Sequence, residues 1–311
     1  MTTTPPEESS PPLPWRRILI HGLLVVGLAL AVLKVAASLG DFSLSLEHPG
    51  FLPLLLMLHA ALILLAASLW RQALGIVTPV PLPYKQAMAH VGILLIAKYV
   101  PGKLWGLVGR GLHARRLGMA AGAVTTATAL EQLAILGSGL LLVAAGTWRD
   151  EIHWLLPLLA IISFLMCPMG RKGIGHLQSL AKGPLKRLFP LVEQGSAHLC
   201  SRAFAGLCWL ALGQWILNGV LLCSVAATIG VVPSHTLVIA ALIAAPAAIL
   251  SGFLFLFVPG GIGIREGVLV YYLEPVIGME AALMTAILFR ISDTLRDVIM
   301  GIWTAALLRN P

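Results

Sequence analysis

Charged residues are scarce in this sequence. They make up 11% of its 311 residues, whereas hydrophobic residues make up 58% and the mean hydropathy is +0.92. Because an average soluble domain carries about 25% charged residues, this composition excludes the class of water-soluble domains. It indicates an all-α, polytopic membrane protein.

Cysteine is scarce as well, and its four positions show no CxxC spacing. The nine histidines include no HExxH motif, so neither a disulfide framework nor a metal site is indicated. The sequence also contains no nucleotide-binding loop and no Ser-His-Asp order, and we expect neither a cofactor nor an enzymatic activity. We interpret the cysteines as small core residues: Cys167, Cys200, Cys208 and Cys223.

Six apolar segments approach the roughly 20 residues that cross about 30 Å of hydrocarbon. The predicted spans are residues 18–39, 51–70, 118–147, 152–169, 203–230 and 281–308. A cleaved signal peptide is an alternative for the first segment, but its long apolar core and the later spans favour an uncleaved helix. Residues 1–14 are rich in Pro, Ser and Thr and are predicted to form a disordered cytoplasmic leader.

Basic residues fall in alternate connections between the spans. The positive-inside rule therefore places both termini in the cytoplasm, as in a multi-pass protein of a bacterial-type inner membrane. The net charge of +8 is explained without a nucleic-acid partner. For the basic cytoplasmic loop 170–200, a solvated loop that enforces topology is favoured over a patch that attracts anionic lipid, because its glycines and Pro184 interrupt an amphipathic helix.

Two further apolar stretches, residues 84–116 and 236–274, each contain a Pro-Gly break. About 15 residues precede the first break, which gives roughly 22 Å of helix and is too short to span. We predict that both stretches enter the membrane, turn and return as re-entrant helical hairpins. The first arm of the second stretch is, however, long enough to span alone. The breaks are Pro101-Gly102 and Pro259-Gly260.

The two broken stretches share an aromatic-Val-Pro-Gly core with a basic residue downstream. In each half of the chain the order is span, span, broken hairpin, span, so we predict two membrane repeats at residues 15–150 and 151–311. Three crossings in the first half start the second half from the opposite side, which makes the repeats inverted. Inverted repeats with interrupted helices characterise transporters.

Non-helical backbone at membrane depth is tolerated only where protein or water satisfies its polar groups. The sequence FVPGGIGIREG at 257–267 is therefore predicted to line a cavity. Past Gly263 a short helix would begin, whose free N–H groups favour an anion such as phosphate beside Arg265. The alternative is a break that only permits close packing. The predicted helix-break residues are Pro101, Gly102, Pro259, Gly260, Gly261 and Gly263.

Several charges lie inside predicted spans, where each costs about 2.5 to 3.5 kcal/mol on insertion scales. Glu131 lies in the third span, and a cluster lies on one face of the last span, within an arc of roughly 120°. That cluster consists of Arg290, Asp293, Arg296 and Asp297. By contrast, Lys34 and Lys98 are interpreted as anchors that reach the headgroups from a span end.

Two accounts of the intramembrane charges remain open. In the first they only hold the bundle together, with Arg290 paired to Asp293 and Asp297, and Glu131 to a hydroxyl or an arginine. In the second, which we favour, they form the polar floor of a substrate cavity, where Glu131 or Asp293 exchanges a proton during transport. The predicted substrate-binding residues are Lys103, Arg110, Glu131, Arg265, Glu266, Arg290, Asp293 and Asp297.

The stretches KYVPGKLWGLVGR, TALEQL and FVPGGIGIREG followed by FRISD resemble the transmembrane region of lysylphosphatidylglycerol synthetases, a flippase-like family with stand-alone members. The resemblance covers about residues 15–308, and PGGIGIREG is its most specific part. The family's motif positions carried over are Pro101, Gly102, Glu131, Pro259, Gly260, Gly261, Gly263, Arg265, Glu266 and Arg290. We expect no soluble aminoacyl-transfer domain of the kind that the full synthetases carry, and therefore no synthesis of a lysyl lipid.

The resemblance implies movement of a lipid, such as an aminoacylated phospholipid or another anionic or polyprenyl lipid, between leaflets. The leading hypothesis is therefore a flippase whose partner is a membrane lipid with a phosphate head group. One alternative is a membrane-embedded lipid-modifying transferase that uses Glu131 or Glu266 as a base. Another is a non-catalytic scaffold that binds a lipid-synthesis enzyme.

Overall fold

The computed structural model describes residues 47–99, 105–148, 201–254, 261 and 263–309. All of these residues belong to one compact unit. The leader, the predicted spans at 18–39 and 152–169 and the basic loop lie outside them. The same holds for Pro101, Gly102, Lys103, Pro259 and Gly260.

Within the described residues every regular element is helical, which confirms the predicted all-α membrane fold. A 3-10 turn, Pro49–Phe51, leads into the first helix. The helices are α1 (Leu52–Val77), α2 (Tyr84–Ala97), α3 (Trp105–Arg116), α4 (Ala121–Trp148), α5 (Ser201–Thr228), α6 (His235–Leu254), α7 (Ile264–Ile277) and α8 (Met279–Arg309).

The helix ends follow from local chemistry. Pro53 lies in the first turn of α1, where no intrahelical N–H bond is lost. The hydroxyl of Ser234 accepts a hydrogen bond from the Leu237 N–H at 3.1 Å and caps α6. Gly118 between α3 and α4 and Gly278 between α7 and α8 both have φ of 79°, a conformation that glycine adopts without strain. The same turn chemistry thus precedes α4 and α8.

Four of the described helices are long and apolar enough to cross a membrane: residues Pro49–Val77, Ala121–Gly146, Ala203–Thr228 and His235–Gly252. The first three correspond to predicted spans. The 31 residues of α8 are about 46 Å long, but its central charges keep it out of this apolar set. The fourth, α6, is the first arm of the second predicted hairpin. This helix is long enough to cross the membrane, so the turn of the second hairpin inside the membrane stays a prediction.

Helices α2 and α3 pack side by side in opposite directions. Gly106 lies against Leu94 near the break, and Gly109 lies against Ile93. Further from the break, a ring nitrogen of His90 lies 2.8 Å from one of His113. With 14 and 12 residues, the two helices are about 21 and 18 Å long, too short to span alone. The predicted first hairpin requires two such short antiparallel helices, and its turn inside the membrane stays a prediction.

Helices α1 and α5 run antiparallel through the centre of the bundle. At one end, the amide of Gln72 donates to the carbonyl of Ala203 at 2.9 Å. At the other end, the His48 N–H donates to the carbonyl of Thr228 at 3.2 Å. Two apolar clusters form along this pair, one with α2 and α4 and the other with α6, α7 and α8. Cys208 and Cys223 are buried in them, as expected of core residues.

Each broken pair packs against the last helix of the other half. Helix α2 contacts α8, where Gly92 faces Thr304 and Ile96 faces Gly301. Helix α6 contacts α4, where Ile243 faces Gly146. The antiparallel α1 and α5 occupy equivalent places in the two halves. This exchange is what an inverted repeat requires, although the repeat itself stays a prediction.

Candidate functional site

A cavity of about 200 Å³ lies among α1, α2, α5, α6, α7 and α8. One part of its wall is apolar and comes from α1, α2 and α6. Lys98 reaches it from the first hairpin and Arg265 from the second, so both broken segments contribute a cation. The polar wall consists of Lys98, Gln214, Asn218, Arg265, Asp293 and Arg296.

Lys98 joins the first hairpin to α8. Its Nζ lies 2.5 Å from Oδ2 of Asp297, and the hydroxyl of Tyr99 donates to the same oxygen at 2.7 Å. The Asp297 side chain is fully buried, and that of Lys98 is 27% exposed. The interpretation of Lys98 as a headgroup anchor is therefore wrong. A buried carboxylate attracts its ammonium inward, a contact that only the tertiary fold creates.

Arg296 bridges the two carboxylates of α8. Its Nη1 lies 2.9 Å from Oδ1 of Asp293, and its Nη2 lies 3.0 Å from Oδ1 of Asp297. Arg265, by contrast, lies 3.6 Å from Oδ2 of Asp293 through its Nη2. Among the cations that line the cavity, Arg265 therefore has the longest ion-pair contact. Its guanidinium is the one that an incoming anion can recruit with least disruption.

The polar wall also carries two neutral amides, Gln214 and Asn218, one turn apart on α5. The side-chain N–H of Asn218 donates to the backbone carbonyl of Gln214 at 2.8 Å. The Oε1 atom of Gln214 is buried and has no hydrogen-bond partner among the described residues. The Gln214 carboxamide therefore has unused hydrogen-bonding capacity beside the cations.

The glycines before α7 allow Arg265 to reach the cavity. Gly261 has φ of 68°, and a Cβ atom placed on it would lie 2.9 Å from Cα of Gly252 on α6. A Cβ on Gly252 would in turn lie 2.7 Å from Cγ of Arg265. Residues with side chains at these positions would separate α6 from the start of α7. The aliphatic part of Arg265 thus packs directly against α6.

The start of α7 has a partner of its own. The N–H of Gly263, where φ is 84°, donates to Oε2 of Glu266 at 2.6 Å. Glycine has no side chain with which to return this bond, so the cap is one-sided. The carboxylate at this helix start is thus supplied by Glu266. Binding of a phosphate at this helix start stays a prediction, with the Glu266 carboxylate already placed there.

Arg290 pairs with Glu266, since its Nε lies 3.5 Å from Oε1 of that carboxylate. Neither residue lines the cavity. The less favoured, purely structural account paired Arg290 with Asp293 and Asp297. That pairing is wrong, because Arg296 holds those two carboxylates. The reason is geometric: α7 packs beside α8 and brings Glu266 to Arg290.

A second buried polar cluster lies at the first hairpin. Nη1 of the fully buried Arg110 lies 2.5 Å from Oε2 of Glu131, as the account that pairs Glu131 with an arginine expects. The guanidinium stacks 3.7 Å from the centre of the Trp70 ring. The Trp70 indole N–H donates to Nδ1 of His90 at 2.9 Å. Neither Arg110 nor Glu131 lines the cavity, so the two groups of charges are separate.

The predicted site thus divides into three sets. Arg265 and Asp293 line the cavity, and Asp297 lies directly behind Lys98 and Arg296. Arg110, Glu131, Glu266 and Arg290 form ion pairs away from it, and Lys103 lies outside the described residues. Sequence reasoning did not assign cavity positions to Lys98, Gln214 and Asn218. It counted Arg296 in the polar floor of the cavity without naming it among the binding residues. Two amides one turn apart in an otherwise apolar span were the available signal.

The same kind of contact recurs in both halves. The second helix of each broken pair carries an arginine that pairs with a carboxylate on the following long helix. In the first half this pair is Arg110 with Glu131, and in the second it is Arg265 with Asp293.

Among the described residues no group of three His, Cys, Asp or Glu side chains is placed to hold a metal ion.

Residues 19–301 match the family model described as the lysylphosphatidylglycerol synthase TM region. The chain belongs to this family. The match includes every residue of the cavity wall and both members of the Arg110–Glu131 pair. No curated protein and no solved structure matches the chain. Membership in the lysylphosphatidylglycerol synthase TM-region family indicates a lipid-related function of a multi-pass membrane protein.

Proposed function

We propose that the chain is a lipid transporter that moves a phosphate-bearing lipid between the two leaflets. The head group occupies the cavity of about 200 Å³, while the acyl chains stay in the surrounding hydrocarbon. The observation that carries the proposal is the convergence of Lys98 and Arg265 on this cavity, one from each broken pair. A membrane bundle has no structural need for a polar cavity, and ionisable groups in one mark substrate pathways.

The arrangement of ion pairs supports a mechanism of partner exchange. Asp293 has two cationic partners, Arg296 at 2.9 Å and Arg265 at 3.6 Å. An entering phosphate would take Arg265 as its partner and leave Asp293 paired with Arg296. Each of the three cations would keep an anionic partner during the exchange, which keeps the desolvation cost of head-group entry low. When the lipid leaves, Arg265 would return to Asp293.

The packing of the helices supports an alternating mechanism for this transporter. The two central helices are antiparallel, and each broken pair contacts the last helix of the opposite half. In such folds, one half rocks against the other around a fixed site. We propose that the first hairpin is re-entrant, that the halves form an inverted repeat, and that both termini face the cytoplasm of an inner membrane.

A transferase that uses Glu131 or Glu266 as its base receives no support from the geometry. Glu131 is ion-paired with Arg110, and Glu266 holds the Gly263 N–H and Arg290. Neither lines the cavity. Formation of a modified lipid by the purified protein in detergent, where no leaflets exist, would favour the enzyme over the transporter.

The proposal is tested with purified protein in liposomes that carry a trace of fluorescent phosphatidylglycerol. Transport is measured as the fraction of label that a membrane-impermeant reductant can reach. We expect Arg265→Ala to abolish protein-dependent transport and Arg265→Lys to retain part of it. Arg115→Ala is the matched control, since Arg115 is exposed on α3 and does not line the cavity.

Folding is checked for each variant by elution volume and melting temperature. Arg265→Ala should fold, because Asp293 keeps Arg296 as a partner. A folded Arg265→Ala protein with the wild-type transport rate would overturn the proposed site. If function in cells survived this substitution but a lipid-synthesis enzyme no longer co-purified, the scaffold alternative would replace the transporter.

A further inference from the structure

The charges at the cavity can be counted. Among the described residues, three cations, Lys98, Arg265 and Arg296, stand against the carboxylates of Asp293 and Asp297, which leaves one net positive charge. The neighbouring pair of Arg290 with Glu266 is neutral, and so are the two amides of α5. The cavity is thus built to balance one negative charge.

From this balance we infer that the cavity selects lipids whose head group carries a single net negative charge, namely monoanionic phosphodiesters. The inference rests on the proposed function and narrows its substrate class. In a poorly hydrated site, a charge without a counter-charge is costly, so the ligand that cancels the site's charge binds best. One phosphodiester cancels one positive charge and leaves none in excess.

Other lipid classes fit this balance less well. A polyprenyl diphosphate carries at least two negative charges and would leave at least one uncompensated. A zwitterionic lipid leaves the positive charge of the site uncancelled. An aminoacylated phosphodiester is neutral or cationic, and its ammonium would need a carboxylate. Both carboxylates at the cavity are already held by Lys98, Arg265 and Arg296.

Gln214 offers a way to change the charge of the site at one position. Its side chain lines the cavity, and its Oε1 has no partner among the described residues, so a substitution breaks no side-chain hydrogen bond seen there. Gln214→Glu lowers the net charge to zero, and Gln214→Lys raises it to two. Gln214→Met leaves the charge unchanged and controls for loss of the amide.

The test measures transport of four fluorescent lipids in liposomes: phosphatidylglycerol, phosphatidylethanolamine, lysyl-phosphatidylglycerol and a polyprenyl diphosphate. For the wild type we expect phosphatidylglycerol to be transported at least about tenfold faster than the other three, given one unbalanced charge. Arg115→Ala, which removes an exposed charge away from the cavity, should keep this preference. The preferences of the two charged Gln214 variants are compared with that of Gln214→Met. Gln214→Glu should shift the preference toward phosphatidylethanolamine. Gln214→Lys should shift it toward the diphosphate.

The outcomes separate the inference from the proposed function. Equal transport of all four lipids, or shifts in the same direction for Gln214→Glu and Gln214→Lys, would overturn the charge selection and leave the transporter intact. If one charged variant fails to fold, the other still tests the direction of its own shift. Absence of transport for every lipid by the folded wild type would instead overturn the proposed function.

A binding measurement distinguishes a lipid from a soluble anion of the same chemistry. Melting temperature in detergent is recorded with phosphatidylglycerol and with glycerophosphoglycerol, which has the same head group but no acyl chains. We expect stabilisation by the lipid at concentrations at least about tenfold lower, because its chains add apolar contacts. Equal stabilisation by the soluble compound would overturn the assignment to a lipid.

Discussion

The Arg110–Glu131 pair gives the sharpest prediction about stability. Arg110 is fully buried, and Glu131 is its ion-pair partner among the described residues. Removing one partner of a buried pair costs about 3–5 kcal/mol, because the other charge remains in a poorly solvating environment. Glutamine at 131 still accepts a hydrogen bond from Arg110, and stacking on Trp70 remains. We therefore expect Glu131→Gln to lower the free energy of unfolding by about 3 kcal/mol.

The measurement is thermal unfolding of the purified protein in detergent, followed by tryptophan fluorescence. At roughly 2–4 °C per kcal/mol, the scale for soluble chains of 150–250 residues, Glu131→Gln should melt about 6 °C lower or more. In the double variant Arg110→Met with Glu131→Gln, no buried charge remains. Its loss should therefore be smaller than the sum of the two single losses, by about 2 kcal/mol.

If the loss in the double variant equals the sum of the two single losses, Arg110 and Glu131 are not coupled, and their interpretation as a structural pair is refuted. The transport rate gives a second readout. Below its melting temperature, Glu131→Gln should transport phosphatidylglycerol at nearly the wild-type rate, because Glu131 does not line the cavity. Loss of transport by a folded Glu131→Gln protein would restore the expectation that this carboxylate exchanges a proton during transport.

Three further predictions use the same melting assay with a matched control for each, and each loss is a loss in the free energy of unfolding. Tyr99→Phe should lose about 1.5–3 kcal/mol, the usual range for a hydrogen bond to a charged group. Tyr84→Phe should change stability by less than about 0.5 kcal/mol, since its exposed hydroxyl lies 3.3 Å from Ser68; equal effects would contradict the 2.7 Å bond to Asp297. Gly92→Ala should lose about 1–3 kcal/mol by overpacking against Thr304, whereas Gly75→Ala, with open space around it, should be tolerated; a neutral Gly92→Ala would refute the close contact of α2 with α8. Gly263→Ala should lose about 1–2 kcal/mol because the φ of this residue is 84°. Gly267→Ala, inside α7, should be neutral or stabilising. A Cβ atom would meet open space at both positions, so similar effects would contradict strain from the positive φ of Gly263.

The sequence predicted the features that depend on local composition. Three of the four apolar spans and the short helices of the first hairpin follow from runs of apolar residues and from Pro-Gly breaks. The charged face of α8 follows from helical spacing. Asp293 on that face and Arg265 on α7 are the predicted substrate-binding residues that line the cavity. The family match confirms the resemblance that the motif around Arg265 indicated.

Partner choice was not predictable in the same way. The pairs Lys98–Asp297 and Glu266–Arg290 each join two different helices, so their geometry depends on packing. Lys98 was assigned to the headgroups because its distance from a span end permits that position, but a buried carboxylate on α8 lies closer. Glu266 was read as a substrate contact, whereas the glycine before α7 gives it a backbone N–H to hold.

The exchange of packing partners between the halves also bears on how the protein is made. Helix α2 is synthesised long before α8, yet Lys98 finds Asp297 and Gly92 finds Thr304 only on that last helix. During translation the first hairpin must therefore wait, with its lysine unneutralised, until nearly the whole chain has left the ribosome. A nascent chain halted before residue 297 would lack both the carboxylate that pairs with Lys98 and the threonine that packs on Gly92.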